Sequence, residues 1–528
     1  MILLSHIFLF SISWWSSVLA QENFLQCLSL HSDQPPIPVY TPNTILLNSI
    51  NPPIIPIQNL RFISSDTPKP QVIITPSHES HVQAAVICCR KHGLQIRVRS
   101  GGHDYEGLSY TSDVPFVVVD LANFESIVVD VEDRSAWVQA GATIGQVYYR
   151  IAEKTSAYGF PAGACPTVGV GGHFSAGGYG GLFRKYGLAA DNIIDARIVT
   201  VDGKISDKES MGEDLFWAIR GGGGGSFGVI LSWKIRLVPV PPVMTLSTVS
   251  RRLEQGATEL VYKWQNIAHK LPEDLVFAVF IRRVNGSEET NDKIQAIFLS
   301  VFQGRTKQLL QIMEQKFPEL GLKSEDCIEM SWIQSALYLA EFPFDGPRDV
   351  LLNRNQRRRL FKAKSDYVKE TIPEIGLKGI WTFFNEVDIP EMILSPYGGR
   401  MSEISESALP FSHRKGNLFK IQYIAWWEKA GAEESKKNIN WIRRLYKYMT
   451  PYVSKSPRSA YLNYRDLDLG HSENGTASYD QARVWGIKYF GNNFDRLVHV
   501  KSKVDPENFF RNEQSIPSVP EMIMNTES

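Results

Sequence analysis

The sequence predicts an α+β fold of more than one domain, and three observations lead there. Its 528 residues exceed the usual size of a single core. Period-two apolar runs and amphipathic helical segments are mixed along the whole chain. Near the middle, Pro239-Val240-Pro241-Pro242 interrupts the pattern and reads as a boundary.

The elements follow in order. Residues 1–20 read as a secretory signal: 1–10 are apolar (MILLSHIFLF), and Ser17-Val18-Leu19-Ala20 offers small residues before Gln21. Serines and His6 interrupt that run, which is short for a membrane span, and no later stretch is long and apolar enough. Residues 35–56 are proline-rich and should lie extended on the surface. Residues 71–75 (QVIIT) read as a strand, and Ser77 can cap a helix that runs to His92 and stops at Gly93. Leu94, Ile96 and Val98 then alternate with Gln95, Arg97 and Arg99, a strand pattern, so 100–107 (SGGHDYEG) is the loop leaving a strand. Residues 116–121 and 136–140 read as strands and 143–153 as a helix. A strand at 197–201 meets Asp202-Gly203, a hairpin signal.

Five glycines, 221–225, follow Arg220 and lead into an alternating strand of Val229, Leu231, Trp233, Ile235 and Leu237. Beyond the proline boundary, 276–284 and 294–303 read as strands and 307–316 as a helix. A loop at 395–400 precedes a long strand at 418–427. In that strand Lys420 and Gln422 share a face with Leu418 and Ile424, while Phe419, Ile421, Tyr423 and Ala425 form the other. Two polar groups side by side in an apolar strand need partners, because an unpaired buried charge is very costly.

Function concentrates in residues 161–187. Seven glycines lie from Cys165 through Gly181, too many for a helix or strand interior. Backbone without side chains lets a large flat group approach closely, and its N–H groups can cradle phosphate. No Walker Gly-Lys-Ser/Thr is present, and Gly169-Val170-Gly171 does not continue as a dinucleotide fingerprint. Lysine plus arginine equals aspartate plus glutamate at 56 each, so charge points to neither nucleic acid nor an anionic membrane. The five cysteines, Cys27, Cys88, Cys89, Cys165 and Cys327, are an odd number and leave at least one unpaired. No HExxH or CxxC occurs, so no metal site is expected. Asn285 and Asn474 head glycosylation sequons.

RSGGHDYEG (99–107), followed by CPTVGVGGHFSAGGYG (165–180), resembles the plant berberine bridge enzyme-like flavoproteins, and the resemblance runs from about Asn23 to Pro517. It implies FAD tethered twice, through His103 and through Cys165. Ser100, Gly101, Gly102, Asp104, Gly107, Val168, Gly169, Gly171, Gly172, His173, Gly177, Gly178, Gly228 and Val229 are then expected around the flavin. It implies a PCMH-type FAD-binding domain of two α/β subdomains over 67–242, with 21–66 as its extended N-terminal segment. The substrate domain, an antiparallel sheet covered by helices, would span 243–460. Residues 461–528 would return to the flavin domain. The family pairing is Cys27 with Cys88. Serine is usual at the next position, so Cys89 departs from the pattern and leaves open which of the two takes Cys27.

The same resemblance makes Tyr464 the catalytic base, puts Lys420 beside it, sets Gln422 over the flavin and points Tyr105 and Tyr179 into the active site. Berberine bridge enzyme itself carries a glutamate base at the Gln422 position. A tyrosine ionises near pH 10, and a neighbouring ammonium would favour its phenolate. Valine at the Val168 position goes with oxidases in the family and leucine with dehydrogenases. The expected protein is a secreted, monomeric FAD oxidase. It would act on an aromatic or terpenoid plant metabolite, with O2 as acceptor and H2O2 as product. A carbohydrate oxidase, a cyclase that keeps its flavin without redox turnover, and a secreted binding protein with a degenerate flavin site are the alternatives.

Overall fold

Three sheets carry the architecture in the computed structural model, which describes residues 21–32, 34, 36–41, 57–284, 293–355 and 357–519. Residues 1–20, read above as a secretory signal, most of the proline-rich stretch and Asn285 lie outside the described residues. Asn474 falls in the turn Glu473–Gly475.

The first sheet has the order Val39–Tyr40, Val72–Ile74, Phe116–Asp120, Gln95–Arg99, and its last three strands are parallel. Parallel strands need a crossover, and the helix Glu79–Lys91 supplies it. Its cap is His78 rather than Ser77: the His78 ring accepts from the Ser80 N–H, while the Ser77 N–H donates to His81. The crossover leaves the SGGHDYEG loop at the carboxyl end of Gln95–Arg99, where ligands of such sheets bind.

The second sheet is antiparallel, in the order Ile127–Asp130, Ser135–Gln139, Val229–Arg236, Ile193–Val199, Ile205–Ser206. The expected hairpin at Asp202-Gly203 pairs Val199 with Ile205. Helix Ile144–Lys154 starts at a capping box in which Thr143 and Gln146 bond each other's backbone.

Seven antiparallel strands form the third sheet: Cys327–Met330, Met244–Arg252, Lys293–Phe302, Leu275–Val284, Ile389–Pro396, Phe419–Trp427, Leu360–Val368. Helices Ala257–Ile267, Glu374–Phe383 and Ala432–Tyr448 cover one face. Phe419, Ile421, Tyr423 and Ala425 pack there with Trp264, Ile380 and Trp441. The pleat turns Lys420, Gln422, Ile424 and Trp426 to the opposite face. A separate core joins Val119, Phe174 and Trp233 to Tyr461, Trp485, Phe494 and Ile516, so the C-terminal segment packs back onto the first two sheets.

Cys27 is bonded to Cys88, and Cys89 is a buried free thiol. Adjacent helical residues point about 100° apart, so only one can face Cys27. The bridge closes a loop of 61 residues. Chain entropy then predicts that Cys88→Ser destabilises the fold by up to about 4 kcal/mol. Cys89→Ser should leave the bridge intact. Urea unfolding with a thiol count distinguishes the two variants.

Candidate active site

Two glycine loops build the site by touching through bare backbone. A Cβ on Gly101 would lie 2.2 Å from the Gly169 nitrogen, and one on Gly169 would lie 2.2 Å from the Gly101 nitrogen. Only glycine fits at either position. Ser100 Oγ adds a clasp, accepting from the Gly171 N–H at 3.3 Å and donating to the Ala140 carbonyl at 2.5 Å. Beyond the contact, the His103 Nε2 meets Thr167 Oγ1 at 3.0 Å. His103 and Cys165 therefore line one cavity, of about 1670 Å³.

That volume exceeds the roughly 300–1,000 Å³ of a site for one drug-sized ligand, so a large cofactor and a substrate fit together. Ser100, Gly101, Gly102, Asp104, Val168, Gly169, Gly171, Gly172, His173 and Gly228 line it. At Gly172 and Gly225 a Cβ would meet nothing within 4 Å and would project into the cavity. Flat backbone facing open space is the cradle a flavin ring or pyrophosphate needs. Gly107, Gly177, Gly178 and Val229 do not line it. The three glycines instead turn the loops at positive φ: +80° at Gly107, +112° at Gly177 and +76° at Gly178. Val229 opens a buried strand. His173 backs the loop, its Nε2 accepting from the Gly163 N–H at 3.1 Å, and burial pushes its pKa down to about 3.

The opposite wall is the free face of the seven-stranded sheet. Cross-strand register sets Gln422 between Ser365 and Ile393, and Ile424 between Ala363 and Glu391. Gln422 donates to the Tyr105 hydroxyl at 3.0 Å. Tyr105 stacks on Tyr464, with ring centroids 5.7 Å apart and planes 2° from parallel. Tyr464 and Tyr179 share a hydroxyl–hydroxyl hydrogen bond. The five residues Tyr464, Lys420, Gln422, Tyr105 and Tyr179 thus form one cluster.

Lys420 holds a different place from that of a simple neighbour. It lies behind the tyrosines and outside the cavity lining. Its Nζ sits 3.3 Å from the ring centre of Tyr179, 4.1 Å from that of Tyr461 and 4.6 Å from that of Tyr464. No carboxylate among the described residues pairs with it. Burial pushes its pKa well below the ordinary lysine value. Burial first, and then Tyr179 and Tyr105, push Tyr464 well above the ordinary phenol value. Sequence reasoning missed Thr167, which holds His103, and Asn463, whose amide donates to the His173 carbonyl and the Tyr461 hydroxyl. Thr167 lies inside the 165–180 motif, and Asn463 directly precedes Tyr464.

Residues 70–207 match the family described as FAD binding domain, and 460–517 the one described as berberine and berberine like. A tetrahydroberberine oxidase of Berberis wilsoniae is 60% identical over 501 residues, 94% of this chain and 94% of its own. The chain belongs to the berberine bridge enzyme-like family. It is an FAD-binding oxidoreductase of α+β, PCMH-type fold. Within the family, a monolignol oxidoreductase of Arabidopsis thaliana is 54% identical, covering 87% of this chain and 86% of its own. The solved pollen protein Phl p 4, a glucose dehydrogenase, has 45% identity and a TM-score of 0.88, covering 94% of this chain and 100% of its own. An isoleucine-to-valine variant of Phl p 4 is a glucose oxidase. No helix of the described residues is long and apolar enough to cross a membrane.

Proposed function

We propose a secreted FAD oxidase acting on an aromatic or terpenoid plant metabolite, with the flavin attached through both His103 and Cys165. One observation carries the reading: the Tyr464–Tyr105–Tyr179 cluster opens onto the same cavity as both attachment residues. Bound FAD supplies the hydride acceptor, and O2 regenerates it with release of H2O2. The chain's own residues supply orientation and proton transfer.

Thr167 engages His103 through Nε2 and leaves Nδ1 without a hydrogen-bond partner among the described residues. Burial lowers the ring pKa to about 4, so the ring is neutral, and with the proton on Nε2 toward Thr167 its Nδ1 would carry the nucleophilic lone pair. Cys165 exposes its thiol to the cavity. Tyr464 accepts the proton that a substrate hydroxyl must lose as hydride leaves the adjoining carbon. A buried phenolate or a buried ammonium is costly alone, but the two compensate each other. Tyr464 and Lys420 therefore titrate as a unit, and the unit is the base. Gln422 holds the Tyr105 platform on which Tyr464 stacks.

Phe280, Ile393, Ile424 and Trp426 give the substrate wall an apolar, aromatic character. That favours aromatic substrates, in keeping with the tetrahydroberberine and monolignol enzymes among the relatives. Sugars are the second reading, because of the glucose dehydrogenase. Anaerobic mixing with cinnamyl-type alcohols, tetrahydroberberine and glucose tests both. Bleaching of the flavin by an aromatic compound is expected; bleaching by glucose alone overturns the substrate class. Product formation without oxygen uptake overturns the oxidase. Residues 1–20 and the Cys27–Cys88 disulfide support passage through an oxidising secretory route.

Val168 carries the oxygen half of the proposal. It lines the cavity close to Cys165, and a leucine there would take up space in that cavity that dioxygen would need to reach a bound flavin. Val168→Leu is expected to slow reoxidation by air and leave reduction by substrate nearly unchanged. Stopped-flow traces of the two half-reactions check this; equal oxidative rates would make Val168 a packing residue only.

A further inference from the structure

We propose that two buried lysines, the buried carboxylates Glu106 and Asp466 and the more exposed Asp468 form a positioning device that holds Tyr464 against Tyr105 in its reactive pose. The proposal rests on Tyr464 belonging to the base. The network hangs on the edge strand Leu360–Val368. Lys362 and Lys364 there are only 3% and 1% exposed. Lys362 Nζ bonds the Glu106 carboxylate and lies 2.7 Å from Asp466 Oδ1. Lys364 Nζ lies 2.6 Å from Asp466 Oδ2 and 2.8 Å from Asp468 Oδ2.

The partners are telling. Glu106 directly follows Tyr105, and Asp466 stands two residues after Tyr464. Each stacked tyrosine is thus tied, through its own segment, to one strand. Three further contacts make the same connection. The Asn59 amide donates to the Tyr105 carbonyl at 2.9 Å and to the Phe361 carbonyl at 3.1 Å. Asp104 and Arg465, the residues flanking the two tyrosines, form an ion pair at 3.3 Å. Glu106 also accepts from the Leu467 N–H at 3.3 Å.

Neither segment has a ladder to hold it. Tyr464 ends the 3-10 turn Leu462–Tyr464, and Tyr105 sits in an irregular loop. Apolar contact alone would let such loops slide, because it has no direction. Charge-assisted hydrogen bonds do have direction, and a buried polar network with its members paired fixes one arrangement. Burial pulls the Lys362 pKa down, but Asp466 and Glu106 outweigh it and hold it above the ordinary lysine value, so the ammonium that bridges the two segments persists. Replacing such a network by apolar side chains can preserve stability. Its function here is therefore registry of the two tyrosines, which stability alone does not explain.

The test uses FAD-loaded full-length protein and the aromatic substrate that bleaches the wild-type flavin fastest. Lys362→Met is expected to slow anaerobic flavin reduction about 10- to 100-fold, the scale of a misplacement near 1 Å. Substrate affinity, read from the flavin spectrum, should stay within about threefold, since uniform binding is untouched. Glu106→Gln keeps an acceptor for Lys362 and Leu467 and should lose much less. In a Tyr464→Phe background, Lys362→Met should add almost nothing, because it acts through Tyr464. Leu309→Ala, fully buried in the other core, serves as a control matched for loss of thermal stability.

Additive effects of Lys362→Met and Tyr464→Phe would overturn the proposal, as would an equal rate loss in the Leu309→Ala control or a wild-type rate in Lys362→Met. Should Lys362→Met fail to fold, Asp466→Asn gives the same readings on the same cycle. A wild-type rate in Tyr464→Phe removes the tyrosine base itself. A slow Tyr464→Phe with a normal Lys362→Met removes only the positioning.

Discussion

Replacing Tyr464 by phenylalanine is expected to slow anaerobic flavin reduction about 100- to 10,000-fold, the usual range for a positioned general base. FAD should remain bound, because the flavin loops keep every contact. The argument starts from charge. Hydride leaves carbon readily only if the attached oxygen gives up its proton. Gln422 has no basic group, and its amide is engaged with Tyr105. His173 is half-buried, and its Nε2 is committed to the Gly163 N–H. Tyr464 remains, hydrogen-bonded to Tyr179 and stacked on Tyr105.

Its pKa direction sets the pH dependence. Burial, Tyr179 and Tyr105 hold Tyr464 well above the ordinary phenol value, so an isolated Tyr464 would act only in strong alkali. A Lys420 ammonium, with Nζ set over three tyrosine faces, would offset this by stabilising negative charge on the cluster. The active form is the deprotonated unit, so the rate falls as pH falls. Lys420→Met should move that rising limb to higher pH, with partial recovery in alkali. Flavin-reduction rates across pH for the three proteins decide. A Tyr464→Phe rate equal to wild type throughout removes tyrosine from the mechanism. A Lys420→Met loss that ignores pH leaves the tyrosine and rejects its partner.

The features legible in the sequence are those whose cause is local. The helix Ile144–Lys154 is read at 143–153, and Leu275–Val284 with Lys293–Phe302 are read by alternation. The two glycine loops could be read because bare backbone at that density has few other uses. The strand Leu360–Val368 was not legible. Its Lys362, Lys364 and Asp366 resemble a solvated face, yet they are buried against ionic partners from 92 to 256 residues away. Long-range ion pairs leave no periodic signal. Gly107, Gly177 and Gly178 show the converse limit. A motif marks them, but whether a glycine faces the ligand or only turns the chain depends on the φ the loop adopts. The exchange of Ser77 for His78 as a cap is a one-residue matter of which side chain reaches the free N–H groups.

Removing both flavin attachments is expected to release all of the FAD on acid denaturation, while removing either one releases none. His103 and Cys165 come from separate loops that meet at Gly101 and Gly169, so each bond can form without the other. The neutral His103 ring is fixed by Thr167 and the Cys165 thiol faces the cavity, which leaves both nucleophiles free to reach one flavin. His103→Ala and Cys165→Ala should each keep yellow protein after acid precipitation and filtration, and the double variant should give a yellow filtrate. The His103→Ala protein should also show a shifted flavin spectrum, since one ring substituent is lost. Thr167→Val offers a subtler check: it removes the Nε2 partner and should lower the fraction of flavin bound through His103, read in the Cys165→Ala background. Free flavin from wild-type protein would refute covalent attachment altogether. Complete release from one single variant would show that the other residue makes no bond, and the cavity would then hold its flavin by a single tether.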